Sequence, residues 1–304
     1  MNAMVAGRLT EGGGRADAAG WLDHVAVVSD RPADLFDAYE RMGFRLSTLS
    51  RHAGALRPGE APVPWGTGNR CAMFRSGYLE LLAIVDPAMP CGIFPTLLRR
   101  YAGIHIVAFG SMHLDAMAVR MTGQGVKVTG VAALERELET PHGMRTGRFS
   151  LLRMEDAETP EARMNILTHH TPDYLWQPQL MDHPNGAVAL DAVLVSVADV
   201  DEAARRYERI LGIAATRDGA LRRFAMASGE FRLIAADALG TVLPGFDQAV
   251  VPQCIAVSIG VADPARTRAF LERQGVPFAE TDGRLVVPSR AAMGAAVVFE
   301  RHSE

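Results

Sequence analysis

Hydrophobic and polar positions alternate along short stretches of the chain and then change to a helical spacing. Residues 22–28 (LDHVAVV) alternate as a half-buried strand does. Leu35, Tyr39 and Met42 follow at helical spacing, and Gly43 supplies a helix stop. The pattern therefore predicts a strand, a helix and further strands that end near YLELLAI at 78–84.

The same order of elements recurs three more times. The later units begin at GIHIVAF, LDAVLVSV and QCIAVSIG, and their helices end at Gly125, Gly212 and Gly275. Each unit is typical of a βαβββ module, which alone leaves an open sheet face and an unpaired edge. Pairing two modules hides both. The sequence therefore predicts an α+β fold of four βαβββ modules paired into two half-barrel domains.

Composition divides the chain around these modules. Residues 1–19 are predicted to be a flexible leader, and 20–170 a domain of modules 1 and 2. Residues 171–186, rich in Pro and Asp, are predicted to be a linker, and 187–302 a second domain of modules 3 and 4.

Charge and cysteine content narrow the class of protein. The net charge is −4, which predicts neither nucleic acid nor an anionic membrane as a partner. No apolar run is long enough to span a bilayer, the leader lacks a signal-peptide core, and the three cysteines lie far apart. We therefore expect a cytoplasmic protein with a small-molecule partner, and a homodimer is possible.

Strand alternation predicts which side chains face the concave side of the first domain. It places His24, Glu80 and His105 there, whereas Val25 and Ile106 turn towards the helices. Burying an ionised carboxylate or imidazole without a partner is costly, and a divalent cation removes both costs. Two His and one carboxylate form a set used by Fe(II), and also suit Zn, Mn or Ni. The alternative is a structural hydrogen bond between His24 and Glu80.

The second domain provides an internal comparison. Its matching positions hold Ala192, Arg232 and Cys254, none of which continues the His and Glu pattern. The fold therefore does not itself require His or Glu at these positions, and the second domain is predicted to be metal-free.

Several polar residues lie near the predicted cavity mouth. His52, Asn69 and Arg70 flank a long Pro- and Gly-rich loop, and Asn165 occupies the counterpart of Glu80 in module 2. His169 continues the register of Asn165. We predict catalytic roles for His52 and His169, and substrate contacts for Asn69, Arg70 and Asn165.

The motifs GTGNR at 66–70 and GYLELLAI at 77–84, together with the strand histidine and the four modules, resemble the vicinal oxygen chelate superfamily. The chain is most similar there to glyoxalase-like domain proteins of the glyoxalase, bleomycin resistance and dioxygenase type. The resemblance implies a divalent metal (Fe, Mn, Ni or Zn) and a substrate that chelates it through neighbouring oxygens. It also implies Glu80 as a ligand beside His24 and His105.

Three functions follow from this resemblance. The first is a metal-dependent glyoxalase-like enzyme with lyase or isomerase chemistry, in which a proton is moved on the chelated substrate. The second is an extradiol Fe(II) ring-cleaving dioxygenase, although its carboxylate usually comes from the later module rather than from the position of Glu80. The third is a metal-free protein that binds and sequesters a small molecule.

Overall fold

The computed structural model describes residues 15–302 except 56, 58 and 59. Residues 1–14 of the predicted leader lie outside the described residues, whereas Ala18 and Ala19 at its end are buried. No helix in the described part of the chain is both long and apolar enough to cross a membrane.

The described elements follow the predicted βαβββ order. Module 1 contains β1 (Trp21–Ser29), α1 (Pro32–Arg41), β2 (Ser50–Gly54), β3 (Val63–Met73) and β4 (Tyr78–Ile84), and is followed by α2 (Phe94–Arg100). Module 2 contains β5 (Gly103–Gly110), α3 (Leu114–Gly123), β6 (Val128–Thr140), β7 (Gly143–Met154) and β8 (Arg163–His169), and is followed by α4 (Pro172–Leu175).

The second half repeats this order. Module 3 contains β9 (Ala187–Val197), α5 (Val200–Leu211), β10 (Thr216–Asp218), β11 (Leu221–Ala225) and β12 (Glu230–Ala235). Module 4 contains β13 (Gln253–Val261), α6 (Pro264–Arg273), β14 (Ala279–Thr281), β15 (Arg284–Val287) and β16 (Ala296–Arg301). The α+β fold of four modules is confirmed.

The modules join through their first strands. β1 pairs in parallel with β4 and antiparallel with β5, which pairs in parallel with β8. β9, β12, β13 and β16 repeat this arrangement in the second half. Cys254 of β13 also pairs with Ile104 of β5, so one sheet path runs through both halves.

Alternation predicts the faces of β1 and β4 correctly. Val25 and Leu79 pack with Leu35 and Tyr39 of α1 in the main core, where all four side chains are fully buried. The spacing of α1 explains this, since positions four apart share one helix face. His24 and Glu80 are consequently turned to the concave side.

The prediction for β5 is wrong because the strand contains a bulge. The pairing with β1 changes from Ala26 opposite Ile106 to Val27 opposite Ile104, and His105 becomes the extra residue. Ile106 therefore packs with Ala26 on the concave side rather than in the helix-side core. A bulge of one residue reverses the face of the residues beyond it.

Apolar segments fill the two concavities to different extents. In the second half, Leu239 and Leu243 pack against Ile255 and Val298. In the first half, Phe94 and Leu98 of α2 pack against Ala26 and Ile106. The polar residue Glu80 lies directly opposite Ala26 on the neighbouring strand.

Candidate functional site

A buried carboxylate lies at the centre of a polar cluster on β1. Asp23 is 0% exposed, and its oxygens lie 3.0 Å from Trp21 Nε1, 2.8 Å from His24 Nδ1 and 3.2 Å from His169 Nε2. Burial acts to raise the pKa of Asp23, but His169 and His24 outweigh it through charge and hydrogen bonding and hold the pKa well below its usual range. Asp23 is therefore an ionised acceptor for three donors.

Asp23 determines the orientation of His24. Because an ionised carboxylate only accepts hydrogen bonds, Nδ1 of His24 carries a proton and Nε2 is left for another partner. Nε2 lies 3.9 Å from Glu80 Oε2, and the ring stacks on Tyr78 with centroids 4.5 Å apart. A carboxylate-oriented imidazole is the arrangement found in both general bases and metal-bound histidines.

Glu80 is an ionised carboxylate close to His24. It is 7% exposed and accepts a hydrogen bond from Asn69 Nδ2. Burial acts to raise the pKa of Glu80, but His24, Arg136, His52 and the Asn69 hydrogen bond together hold the pKa below its usual value. Asn69 thus orients Glu80 and also lines the adjacent cavity.

His52 of β2 lies near Glu80 as a neutral imidazole. Its Nδ1 is hydrogen-bonded to Thr67 Oγ1 at 2.9 Å, and its buried Nε2 has no partner among the described residues. Burial, with a smaller contribution from Arg136, lowers the pKa of His52 to about 4 against the opposing effect of Glu80. Its proposed catalytic role stays a prediction.

A cavity of about 610 Å³ opens beside this cluster. Its walls come from β2 and β3, the β6–β7 hairpin and residues 174–180, which include α4. The segment predicted to be a linker therefore forms part of the cavity wall, and its Trp176 packs edge-on against Tyr78 with centroids 5.8 Å apart. The lining includes the polar residues Asn69, Arg136, Glu137 and Glu139 and the apolar residues Met73, Leu138, Leu175 and Leu180.

His105 does not join His24 and Glu80. Its ring is 0% exposed and stacks on Tyr101, and its Nε2 bonds to the Tyr101 carbonyl at 2.7 Å. Burial lowers the pKa of His105 to about 4. The bulge accounts for this displacement, and no three His, Cys, Asp or Glu side chains converge as a ligand set in the described part of the chain.

Arg70 also lies away from the cavity, which corrects its predicted role in substrate binding. Its guanidinium pairs with Glu40 of α1 at 2.9 Å, donates to the Ser47 carbonyl and lies over the Phe36 ring. Strand alternation explains this, because Asn69 lines the cavity and its neighbour on β3 must point to the opposite side.

Asn165 lies on β8 directly opposite Ala108 of β5, which is on the concave side. It is buried, and its Oδ1 has no partner among residues 15–302 as described. It is absent from the lining of the cavity beside Glu80. Its contact with substrate stays a prediction.

His169 makes a contact that the second half of the chain repeats. Its bond to Asp23 joins the first strand of module 1 to the last strand of module 2. Asp191 of β9 and His302, which follows β16, make the same contact at 2.8 Å. Because the repeat occurs where Ala192 replaces His24, the Asp–His contact is a feature of the fold, whereas the Asp23–His24 bond belongs to the first half alone.

The sequence analysis did not identify Asp23 or Arg136 as functional residues. Asp23 is the extra residue at a register shift between β1 and β5, which alternation within β1 does not reveal. Arg136 reaches the cavity from the distant β6–β7 hairpin. The alternation in LERELET at 134–140 was the available signal for Arg136, but it does not show where the hairpin packs.

Comparison with known proteins identifies the family. A family model described as a glyoxalase-like domain matches residues 22–211, and the chain belongs to this family. The match extends from β1 to the end of α5 and so includes the predicted linker. No curated protein matches the chain.

Solved structures share the fold at low sequence identity. A hypothetical protein from Staphylococcus aureus is 12% identical with a TM-score of 0.60, and the match covers 92% of this chain and 99% of that one. A mutant of 4-hydroxymandelate synthase from Streptomyces coelicolor is 14% identical with a TM-score of 0.56, covering 94% and 95%. A variant of homoprotocatechuate 2,3-dioxygenase from B. fuscum is 12% identical with a TM-score of 0.54, covering 97% and 74%. The resemblance to glyoxalase-like domain proteins is confirmed by the family match, and the solved structures share the fold.

Proposed function

We propose that this chain is a glyoxalase-like enzyme that moves a proton on a small oxygen-bearing substrate in its first half-barrel. The observation that carries this proposal is the 3.9 Å approach of His24 Nε2, oriented by buried Asp23, to the ionised Glu80 carboxylate. Such a pair combines a base with an oriented acid at one buried position beside the cavity.

Glu80, His24 and Asp23 have different roles in the proposed proton transfer. Glu80, whose other oxygen is held by Asn69, removes a proton from the carbon beside a substrate carbonyl. His24 in its protonated form donates from Nε2 to the carbonyl oxygen as negative charge develops there. Asp23 stabilises the imidazolium, as the buried carboxylate does in hydrolytic triads. His52 is the second candidate proton carrier near Glu80.

A divalent cation fits the donor chemistry of His24 and Glu80. A histidine that ligates a metal through one nitrogen usually donates its other N–H to a carboxylate, as His24 does to Asp23. His24 and Glu80 would hold the ion, and His105 would not, since its Nε2 bonds to a backbone carbonyl. When bound, Fe, Mn, Ni or Zn would supply Lewis-acid polarisation of a substrate oxygen in place of the proton that His24 Nε2 donates in the metal-free site.

The metal part of the proposal is tested by Co²⁺ titration of protein purified without chelators, followed by visible absorption and elemental analysis. We expect His24→Gln and Glu80→Gln each to lower the affinity by at least about tenfold. His105→Gln is the matched control and should bind as the wild type does. Absence of any uptake by the wild type, or an equal loss in His105→Gln, would contradict this assignment.

The reaction is tested by deuterium exchange from solvent into a panel of α-hydroxy ketones and α-keto acids, measured by NMR. Glu80→Gln should slow exchange by about 10²–10⁴-fold. Oxygen uptake with catechols after anaerobic Fe(II) loading would instead indicate a ring-cleaving dioxygenase. Binding without exchange or oxygen uptake would indicate a sequestering protein.

A further inference from the structure

We infer that Arg136 recognises a carboxylate group of the substrate in the cavity beside Glu80. The inference rests on the proposed function, because it assumes that the substrate occupies this cavity. Arg136 lies on β6 of module 2, whereas Glu80 lies on β4 of module 1. The substrate would therefore be held between the two modules.

Alternation along the β6–β7 hairpin directs Arg136 inward. Glu135 bonds to Arg148 at 2.8 Å on the outer face, whereas Glu137 bonds to Thr146 at 2.7 Å and also lines the cavity. Arg136 lies between them, is half-buried and lines the cavity. Its partner across the hairpin is Gly147, which has no side chain to compete for the space.

The Arg136 guanidinium lacks a protein partner of opposite charge. It has no ion pair within 4.0 Å among the described residues, whereas Arg148 on the same hairpin pairs with Glu135. The positive charge of Arg136 acts on two buried groups of the site, because it lowers the pKa values of Glu80 and His52. A partly buried cation without a counterion favours the binding of an anion.

A single negative charge fits the site better than a double one. A carboxylate pairs with one guanidinium through two parallel hydrogen bonds. The exposed carboxylates of Glu137 and Glu139 also line the cavity and would repel a phosphate dianion more strongly than a carboxylate. Arg51 also lines the cavity, but it is exposed at the mouth and less suited to exclude water from an ion pair.

The rest of the cavity suits an apolar part of the substrate. Met73, Leu138, Leu175 and Leu180 contribute to its lining. A substrate of this site would therefore combine a carboxylate with an aliphatic or aromatic group. Its reacting carbonyl would lie towards Glu80.

Binding of defined probes tests the role of Arg136. Calorimetric titrations would compare hexanoate, phenylacetate and indoleacetate with their primary amides, and with phenyl phosphate, on the full chain. We expect at least one carboxylate to bind roughly tenfold or more tightly than its amide and than phenyl phosphate. Arg136→Met should reduce binding of that carboxylate to the level of the amide.

The control is Arg148→Met, which removes the same charge from the outer face of the same hairpin and should leave binding unchanged. Binding of the carboxylate should persist in Glu80→Gln, so a failure of the proton-transfer proposal would not remove it. The inference is overturned if no carboxylate binds the wild type or if the amides bind equally well. It is also overturned if phenyl phosphate binds most tightly, or if both arginine variants lose binding alike.

Discussion

Replacing Asp23 by Asn should destabilise the protein much more than the matching change Asp191→Asn in the second half. Both carboxylates lie at equivalent places and each contacts a histidine from the last strand of the partner module. Asp23 accepts from two buried donors, Trp21 and His24, and from half-buried His169, whereas the bonded partner of Asp191 is His302, whose side chain is 23% exposed. Comparing the two variants therefore distinguishes the stability contributed by the Asp–His contact, which both halves have, from that contributed by the hydrogen bonds around His24.

The hydrogen-bond geometry sets the expected size of the effect. One Asp23 oxygen accepts from Trp21 and the other from both histidines. An asparagine has one carbonyl oxygen, so its NH₂ group must face at least one buried donor. Loss of a charged hydrogen bond costs about 1.5–3 kcal/mol, and breaking a buried charge pair costs about 3–5 kcal/mol. We expect a loss of about 3 kcal/mol for Asp23→Asn and less than about 1 kcal/mol for Asp191→Asn.

The pH dependence of the two effects differs in sign. The folded pKa of Asp23 lies below its unfolded value, so its stabilisation is complete at neutral pH and is lost as the pH falls below about 4. Burial raises the folded pKa of Asp191 despite the opposing effect of His302. Ionisation of Asp191 therefore disfavours the fold at neutral pH, and Asp191→Asn removes that cost.

Urea and thermal unfolding measured by circular dichroism would test this prediction. At roughly 2 °C per kcal/mol, Asp23→Asn should lower Tm by about 6 °C at pH 7. The reasoning is refuted if Asp191→Asn is equally damaging at neutral pH. It is also refuted if the difference in free energy of unfolding between the wild type and Asp23→Asn grows as the pH is lowered towards 4.

Two further predictions concern other buried groups. His52 and His105 have pKa values of about 4, below the unfolded value of about 6.5, so stability should fall as the pH falls from 6.5 towards 4. Urea unfolding of the His52→Gln/His105→Gln double variant should show a flatter pH slope, and an unchanged slope would contradict the assignment. Glu161 is buried against Arg206, so Glu161→Gln should cost about 3 kcal/mol, whereas Glu202→Gln, whose carboxylate is 52% exposed, should cost less than about 1 kcal/mol in the same assay.

Local patterns were sufficient to predict the modules and most of their faces. The order of strand, helix, glycine and further strands appears four times. Each element in it is recognised from residues that are close together in the sequence. On β1 and β4, Val25 and Leu79 face α1 as predicted because strands alternate with a period of two. The faces could therefore be read without knowing which strands pair.

The errors in the site arose where strand pairing interrupts that period. Asp23 and His105 both lie at register shifts between β1 and β5; no role was predicted for Asp23, and His105 does not reach His24 and Glu80. A bulge depends on the partner strand, so a pattern within one strand does not reveal it. This explains why the predicted ligand set of His24, Glu80 and His105 is not assembled, whereas the sequence neighbours Asp23 and His24 form the central bond.

The sequence by itself determined the modules, their pairing and the two strand residues, His24 and Glu80, that face the cavity. Only the tertiary structure decided which distant groups meet them. His169 reaches Asp23 across 146 positions of sequence, and Arg136 approaches Glu80 from another module. The physical reason is that alternation and helical spacing are local properties. Contacts between side chains of different modules depend on how the sheet closes and where the hairpin packs.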